Sequence, residues 1–547
     1  MVMEEDKAFE YTKEIAKGTI WSLIGKITFN MISFFYVILV ARAVSQDDLG
    51  LFYLSLSIVT LLMVFENFGL NSSLIRYVPY FEGRNEIKKI KVLLKSSYLI
   101  SFISALLLVI LLWWASETIG EIYQNPRLPE ALRMLSAVFL LNNFFKVNTA
   151  YLRSRADIKA MQINTNLQNF LKLILTFALF YVYGASTLTL VAGILLSYLF
   201  ATLFSFVNVS TRLTDLPKAD EAIPTKQLFL EIIPFGLMLS FMNSLGTFLL
   251  SADSAILGYF TEYAMATTIV AIYSVAALLA MVTYLFPSSI ASIFLPVMSR
   301  LYGKNDLEGM RKVTETAQRW SLFITVPIAS IFIAFSGEML ETFYGAAYVG
   351  GATVMSIYVF AVLIMSIPSV LSLALTSMKI VKLQLKVLLA LSFMQIALDI
   401  LLIPAYGMVG AAISFFARCI VMLIIFCYYA KKIFDFRFSR AFYKLFNAAL
   451  IVMIIVLLVK PAALVLAGML PALEGTGLQF YLSKLIYLGY LGILTAASFL
   501  IFMFFVTLSR CFRKEDVVLM AKAMKRARIP GSVIALIENV ASRGIAK

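Results

Sequence analysis

Histidine is absent from this 547-residue chain. That excludes imidazole-ligated metal sites, histidine-dependent catalytic triads and histidine proton relays. Cysteine is nearly absent: only Cys419, Cys427 and Cys511 occur. All three fall in or beside the half of the chain expected on the cytoplasmic side, so no disulfide framework is implied. Charge is scarce too, with 14% of residues Asp, Glu, Lys or Arg against 61% hydrophobic. At a mean hydropathy of +0.90, no soluble core can use that much apolar surface. Strand-like alternation is missing, so helices rather than a barrel must satisfy the backbone in lipid. The segments between apolar stretches are too short for a catalytic domain. A membrane-embedded polymerase or glycosyltransferase is therefore disfavoured, and no catalytic residue, metal or cofactor is expected.

What is present is a series of about fourteen apolar stretches, each near the ~20 residues that cross a bilayer as a helix. They cover 18–42, 49–76, 92–115, 131–152, 162–183, 187–211, 227–251, 264–298, 316–336, 350–378, 383–404, 407–430, 441–466 and 480–509. Pro287 and Pro296 in the longest stretch predict a kinked or frayed end. The fold expected is an all-α polytopic membrane protein.

The loops between these stretches are asymmetric. Of 46 Lys and Arg residues, 37 lie in alternate loops and the two ends, and only Arg42, Arg127, Arg133 and Lys460 lie in the opposite set. Positive residues stay cytoplasmic. Both termini are therefore expected inside, as an even number of spans requires. This topology accounts for the net charge of +15 without nucleic acid. Residues 1–17 are polar and of mixed charge, so the first apolar stretch is expected to remain as an anchor rather than be cleaved.

The chain also resembles itself at an offset near 220 residues. Gly83-Arg84-Asn85-Glu86-Ile87 returns as Gly303-Lys304-Asn305-Asp306-Leu307, Tyr183-Gly184 as Tyr406-Gly407, and a basic stretch ending at Gln162 as one ending at Gln384. Six spans per copy is an even number, so the copies share one orientation, a plan found in transporters. The expected organisation is a cytoplasmic segment 1–17, a six-helix lobe 18–212, a linker 213–226, a second six-helix lobe 227–432, two additional helices over 433–509 and a basic tail 510–547. In the tail, Val517, Leu519, Met520, Met524 and Ile529 alternate with Lys522, Lys525, Arg526 and Arg528, which predicts a surface helix broken at Pro530-Gly531.

Several runs bear a family resemblance. They are Lys17-Gly18-Thr19-Ile20-Trp21, Ala41-Arg42-Ala43, Asp48-Leu49-Gly50 and Phe68-Gly69-Leu70 with Arg76-Tyr77. Further on come Asp253 with Leu257-Gly258, Ile272-Tyr273-Ser274 and Pro296-Val297-Met298-Ser299. The fullest are Tyr344-Gly345-Ala346-Ala347-Tyr348 and the run from Ile403-Pro404-Ala405-Tyr406-Gly407 to Ala412. Over residues 15–435 the order and spacing of these runs resemble the polysaccharide-transport branch of the multidrug/oligosaccharidyl-lipid/polysaccharide exporter superfamily. The resemblance implies a flippase that moves lipid-linked oligosaccharide, on a polyprenyl phosphate or pyrophosphate carrier, across the cytoplasmic membrane by alternating access. Its implied partners are that lipid, the bilayer and glycan polymerase or transferase machinery. A small-molecule exporter of the same superfamily, a lipid II flippase and a non-transporting assembly partner are the competing readings.

Five basic residues lie within the apolar stretches: Lys26, Lys146, Lys172, Arg418 and Lys484. Lys484 is near a helix end, where its stem can carry the charge out to the interface. The other four are deeper, and a charge there normally faces a bundle interior or a wet cavity. Asn30 shares a face with Lys26, Asn142 and Thr149 with Lys146, and Asn164 and Gln168 with Lys172. These three polar stripes are expected to line one cationic cleft, lysines for phosphate and amides for sugar hydroxyls. The cations would also repel a cationic drug. Glu66 is read either as an ion-pair partner for a first-lobe lysine or as an ion-coupling carboxylate. Asp253 is read as a second coupling candidate or a local structural residue. Arg418 either lines the cavity or pairs with Asp399. Amides such as Asn243 are read as bonding between helices.

Overall fold

A computed structural model describes residues 2–66, 69–84, 86–213, 225–378, 380–468 and 478–508. The tail beyond residue 508 lies outside the described residues, as do the side chains of Asn243 and Lys484. The described residues are helical, with no strand among them. The first half contains α1 (Val2–Ala43), α2 (Gln46–Leu62), a 3-10 turn Met63–Phe65, α3 (Leu70–Gly83), α4 (Ile87–Ile122), α5 (Leu128–Ser154), α6 (Ile158–Tyr183) and α7 (Thr187–Leu213). The second half opens with α8 (Thr225–Phe260), α9 (Tyr263–Met281), a 3-10 turn Val282–Tyr284 and α10 (Leu285–Gly303). It continues with α11 (Leu307–Ala334), α12 (Ser336–Tyr344), a 3-10 stretch Ala346–Gly351, α13 (Ala352–Ser377), α14 (Val381–Phe434), α15 (Arg440–Gly468) and α16 (Leu478–Leu508).

Ten helices among the described residues are long and apolar enough to cross a membrane, and the chain is a multi-pass membrane protein. Of the four expected spans missing from that ten, 227–251 includes residues whose side chains lie outside the description, and the other three are missing for visible reasons. α5 and α6, with 27 and 26 residues, have the length, but Asn142, Asn143, Lys146 and Asn148 in one and Asn164, Gln168, Asn169 and Lys172 in the other lower their hydropathy. α14 counts once although its 54 residues include Gly407 at φ 54°, ψ −135°, outside the helical region. A Cβ on Gly410 would lie 2.4 Å from the Leu402 carbonyl oxygen. Eight residues span about 12 Å in a straight helix, so the chain folds back here and α14 is a helical hairpin.

Two expected spans are interrupted. The stretch 49–76 is α2, the turn Met63–Phe65 and α3, with Gly69 at φ 80° introducing α3. A Cβ on Gly69 would come within 2.0 Å of the Gly236 backbone in α8, so the position needs glycine for both its conformation and its close approach. The stretch 264–298 breaks at Val282–Tyr284, upstream of both prolines. Pro287 falls in the first turn of α10, where a missing N–H costs no helical bond.

The repeat is visible in the backbone. The two 3-10 turns begin 219 residues apart, at Met63 and Val282, and α3 and α10 end 220 apart, at Gly83 and Gly303. Past those ends, Glu86 N donates to Phe81 O at 2.8 Å, and Asp306 N to Leu301 O at 3.0 Å. α5 and α13 end 223 apart, at Ser154 and Ser377, and are followed by matching bonds from Asp157 N to Leu152 O and from Ile380 N to Leu375 O. Positive-φ glycines also recur 223 apart, Gly184 after α6 and Gly407 within α14. α15 and α16 follow the second copy.

By packing, the chain forms two compact units: residues 1–274 with 396–411, and 275–395 with 412–547. In the first, side chains including Leu74, Tyr77, Phe81, Leu93, Val147 and Tyr151 form an apolar core where α3, α4 and α5 meet. Arg127, before α5, pairs with Asp47 at 2.7 Å and with Asp48, while Thr187 Oγ1 donates to Asp48 Oδ1 at 3.0 Å. The outer end expected for α2 is thereby tied to α5 and α7. In the second unit, α10, α11, α13 and α14 enclose a core that includes Met298, Met310, Leu371, Leu375 and Phe426.

Candidate functional site

The break between α2 and α3 carries a buried polar cluster. Glu66 follows the 3-10 turn, and its side chain is wholly buried. Lys146 of α5 places Nζ 2.6 Å from Glu66 Oε2. Asn142, one turn earlier on the same face, donates from Nδ2 to Oε1 at 3.1 Å and to Oε2 at 3.2 Å. The next residue, Asn143, donates to the Glu66 carbonyl and to the Ser101 carbonyl, both at 2.9 Å. Ser104 Oγ of α4 also donates to the Glu66 carbonyl.

Each bond has a physical reason. A helix interruption inside a membrane frees backbone carbonyls that need donors, and α4 and α5 supply them. A buried carboxylate needs a cation and N–H donors, and α5 supplies both from a single face. The Lys146 side chain is nonetheless 39% exposed. An ammonium has three donors, so the group that neutralises Glu66 retains capacity for a second anion.

The other expected site residues go elsewhere. Asn164 is fully buried, and its Oδ1 accepts from Asn208 Nδ2 of α7 at 3.0 Å. Gln168 Nε2 donates to Ser197 Oγ of α7 at 3.2 Å. Both amides thus join α6 to α7. Lys172 lies over the Tyr36 ring of α1, 4.3 Å from its centroid. Lys26 is exposed on α1 and Asn30 is half-buried. Between α1 and α6 lies a groove of about 380 Å³ lined by Trp21, Ile24, Gly25, Thr28, Gln162 and Asn166 among others, and neither Lys26 nor Asn30 lines it. Thr149 donates to carbonyls of its own helix, Phe145 O at 3.0 Å and Lys146 O at 3.1 Å.

The structure therefore joins Glu66, Asn142 and Lys146 directly and gives Asn164, Gln168 and Lys172 separate partners. Asp253 of α8 is buried and accepts from the Tyr273 hydroxyl of α9 at 2.9 Å. Arg418 is 8% exposed, lies 4.9 Å from the Phe415 ring centroid, and its Nε has no hydrogen-bond partner among the described residues. Asp399 belongs to the first compact unit and Arg418 to the second.

Sequence reasoning missed Asn143, Ser101 and Ser104. Their signal was available: Ser97, Ser101 and Ser104 fall at i, i+4 and i+7 on α4, a polar stripe of the kind recognised on α5. Asn169 was also missed. Its Nδ2 donates to Phe29 O at 2.9 Å and Ser33 Oγ at 2.7 Å, anchoring α6 on α1.

This fold and polar centre define a polytopic helical membrane protein with a charged cluster at a helix break. The model of the family described as polysaccharide biosynthesis protein matches residues 39–353, more than half the chain, and the chain belongs to that family. An uncharacterized membrane protein of Methanocaldococcus jannaschii is 22% identical over 444 residues, 78% of this chain and 86% of the relative. The probable low-salt glycan biosynthesis flippase Agl15 of Haloferax volcanii is 22% identical over 201 residues, 37% of this chain and 42% of the relative. The structure of the lipid II flippase MurJ in its inward closed conformation shares the fold. Its TM-score is 0.65 at 18% identity, with 88% of this chain and 98% of that one covered.

Proposed function

We propose that this chain is a flippase for a lipid-linked oligosaccharide on a polyprenyl phosphate or pyrophosphate carrier. It works by alternating access between two six-helix lobes, residues 18–212 and 227–432, without a covalent step. It resides in the cytoplasmic membrane with both termini inside, and its product serves glycan polymerase or transferase machinery. The observation that carries this reading is Lys146, whose side chain is ion-paired to Glu66 yet 39% exposed at an intramembrane helix break, in a chain of a polysaccharide biosynthesis family. A phosphate-bearing head group that leaves water needs a cation on its way. Lys146 is the best-placed contact for the phosphate, and Lys26 and Lys172 are further cationic contacts of the same lobe. Neighbouring amides that retain free acceptor or donor capacity serve the sugars. The name of the Haloferax volcanii relative supports the same activity.

The test uses cells lacking the gene and a membrane-impermeant glycosidase. Lipid-linked oligosaccharide is expected to accumulate in the protected inner leaflet and to reach the outer leaflet when the gene is restored. An unchanged leaflet distribution in a strain without a redundant transporter overturns the reading and favours drug export or an assembly role.

A further inference from the structure

The flippase reading makes Lys146 a phosphate contact, and the structure gives that lysine a second anion. We propose that Glu66 is an internal counter-anion: it shares the Lys146 ammonium with the ligand's phosphate and so sets how tightly the head group is held and how fast it leaves. This deepens the proposed function and rests on it.

Three observations carry the inference. First, the carboxylate is fixed. Its side chain is fully buried, both oxygens accept from Asn142, and its own carbonyl is held by Asn143 and Ser104. Glu66 cannot follow a passing ligand. Second, the ammonium is the adaptable partner. Lys146 is 39% exposed and spends one contact, at 2.6 Å, on Glu66. A lysine ammonium is a point charge on a flexible stem with three rotatable donors, so it can bridge a buried carboxylate and an incoming phosphate. Third, the surroundings amplify charge. Charges partly withdrawn from water act on one another more strongly than in bulk solution, so a fixed carboxylate 2.6 Å from the ammonium changes what that ammonium offers a second anion.

A carrier must also release its cargo, and over-tight binding of a transit state slows passage. A fixed negative charge behind the ammonium weakens its hold on a second anion and repels that anion directly. Glu66 thereby trades affinity for turnover, and the pair is already assembled when the head group arrives.

The test measures binding of a short-chain polyprenyl pyrophosphate to the purified full-length protein, alongside flipping rates in proteoliposomes. Glu66→Gln keeps the side-chain shape and an acceptor for Lys146 but removes the charge. It is expected to bind the probe about tenfold more tightly, from loss of like-charge repulsion, and to flip more slowly. Glu66→Asp keeps the charge but draws it back by one methylene, and about threefold tightening is expected. Lys146→Met in the Glu66→Gln background removes the gain. A purely structural role for Glu66 predicts weaker or unchanged probe binding in both single variants, and that result overturns the inference. If Glu66→Gln does not fold, the direction of the Glu66→Asp change decides alone. Absence of probe binding by the wild-type protein overturns the flippase reading itself, and the inference with it.

Discussion

The two copies in this chain break a helix at the same register and fill the break differently. In the first, Glu66 follows the turn Met63–Phe65 and is met by Asn142, Asn143, Lys146 and Ser104. In the second, the residue 219 positions after Glu66 is Leu285, and those 223 after Asn143 and Lys146 are Ser366 and Ser369. Ser366 donates to Leu363 O of its own helix at 2.6 Å and Ser369 to Ser366 O at 2.8 Å. Both hydroxyls bond within their own helix, and the second turn passes into α10 without a non-helical residue. The breaks differ in backbone as well as in side chains: Gly69 at φ 80° stands between the first turn and α3, whereas α10 follows the second turn directly, so the ion pair accompanies the deeper interruption. A buried ion pair is a weak source of stability, since desolvation offsets most of its attraction. Its presence in one copy alone is best explained by what the charge does.

The strongest way to break this comparison is Lys146→Met. It leaves the Glu66 carboxylate buried without its cation, a loss of about 3–5 kcal/mol. A lowered unfolding temperature of the purified protein and lost glycan export are the expected readouts. Ser369→Ala at the matching position of the second copy removes one hydroxyl, and the expected change is about 1 kcal/mol or less. Equal effects at the two positions would remove the asymmetry on which the functional reading rests.

Asn143→Ala comes next. It strips one donor each from the buried carbonyls of Glu66 and Ser101, both of which keep Ser104 Oγ, and the loss expected for the bonds removed is about 1 kcal/mol. Ser366→Ala removes only a bond within its own helix and should barely alter the melting temperature.

The glycines test what the copies share. Gly184 has φ 82° and Gly407 φ 54°, and neither has another atom within 4 Å of a built Cβ. Alanine at either site is strained by conformation alone, by about 1–2 kcal/mol. Thermal unfolding of Gly184→Ala and Gly407→Ala should fall by similar amounts. A large inequality would mean that the two turns are not equivalent parts of one repeated design.

These pairs also mark what the sequence could reveal. The membrane class, the helical fold and the 220-residue period were legible because they rest on composition and order, which every residue helps to set. The break at Glu66 was not, because an isolated carboxylate and Gly69 interrupt an otherwise continuous apolar run without changing its average. Prolines suggested a kink in the eighth span, yet the turn lies at Val282–Tyr284, since Pro287 is tolerated in the first turn of a new helix. At the site, helical periodicity identified the face of Asn164 and Gln168 but not its neighbour. That face meets Asn208 and Ser197 of α7, pairings that depend on how α6 and α7 dock. Glu66 and Lys146 were both singled out from depth in the bilayer, and one alternative read for Glu66 was pairing with a lysine of the first lobe. Which lysine it meets requires the packing of α5 against the break.

A small expected change in stability is the most informative. Glu66→Leu with Lys146→Ser installs in the first copy the residues the second carries at the same register. Both members of the ion pair leave together, so no charge is stranded, and replacing a buried pair by uncharged residues is often neutral or stabilising. The melting temperature should stay within the equivalent of about 1 kcal/mol of wild type, far above that of Lys146→Met. Glycan export should still fail, because the phosphate contact is gone. A double variant that is stable and inactive separates the charge from the fold. If it is stable and fully active, the pair is dispensable for both, and the cation for the head group must be sought at Lys26 or Lys172. If it is as unstable as Lys146→Met, the first break depends on its charge after all, and the likeness of the two copies stops at the position of the turn.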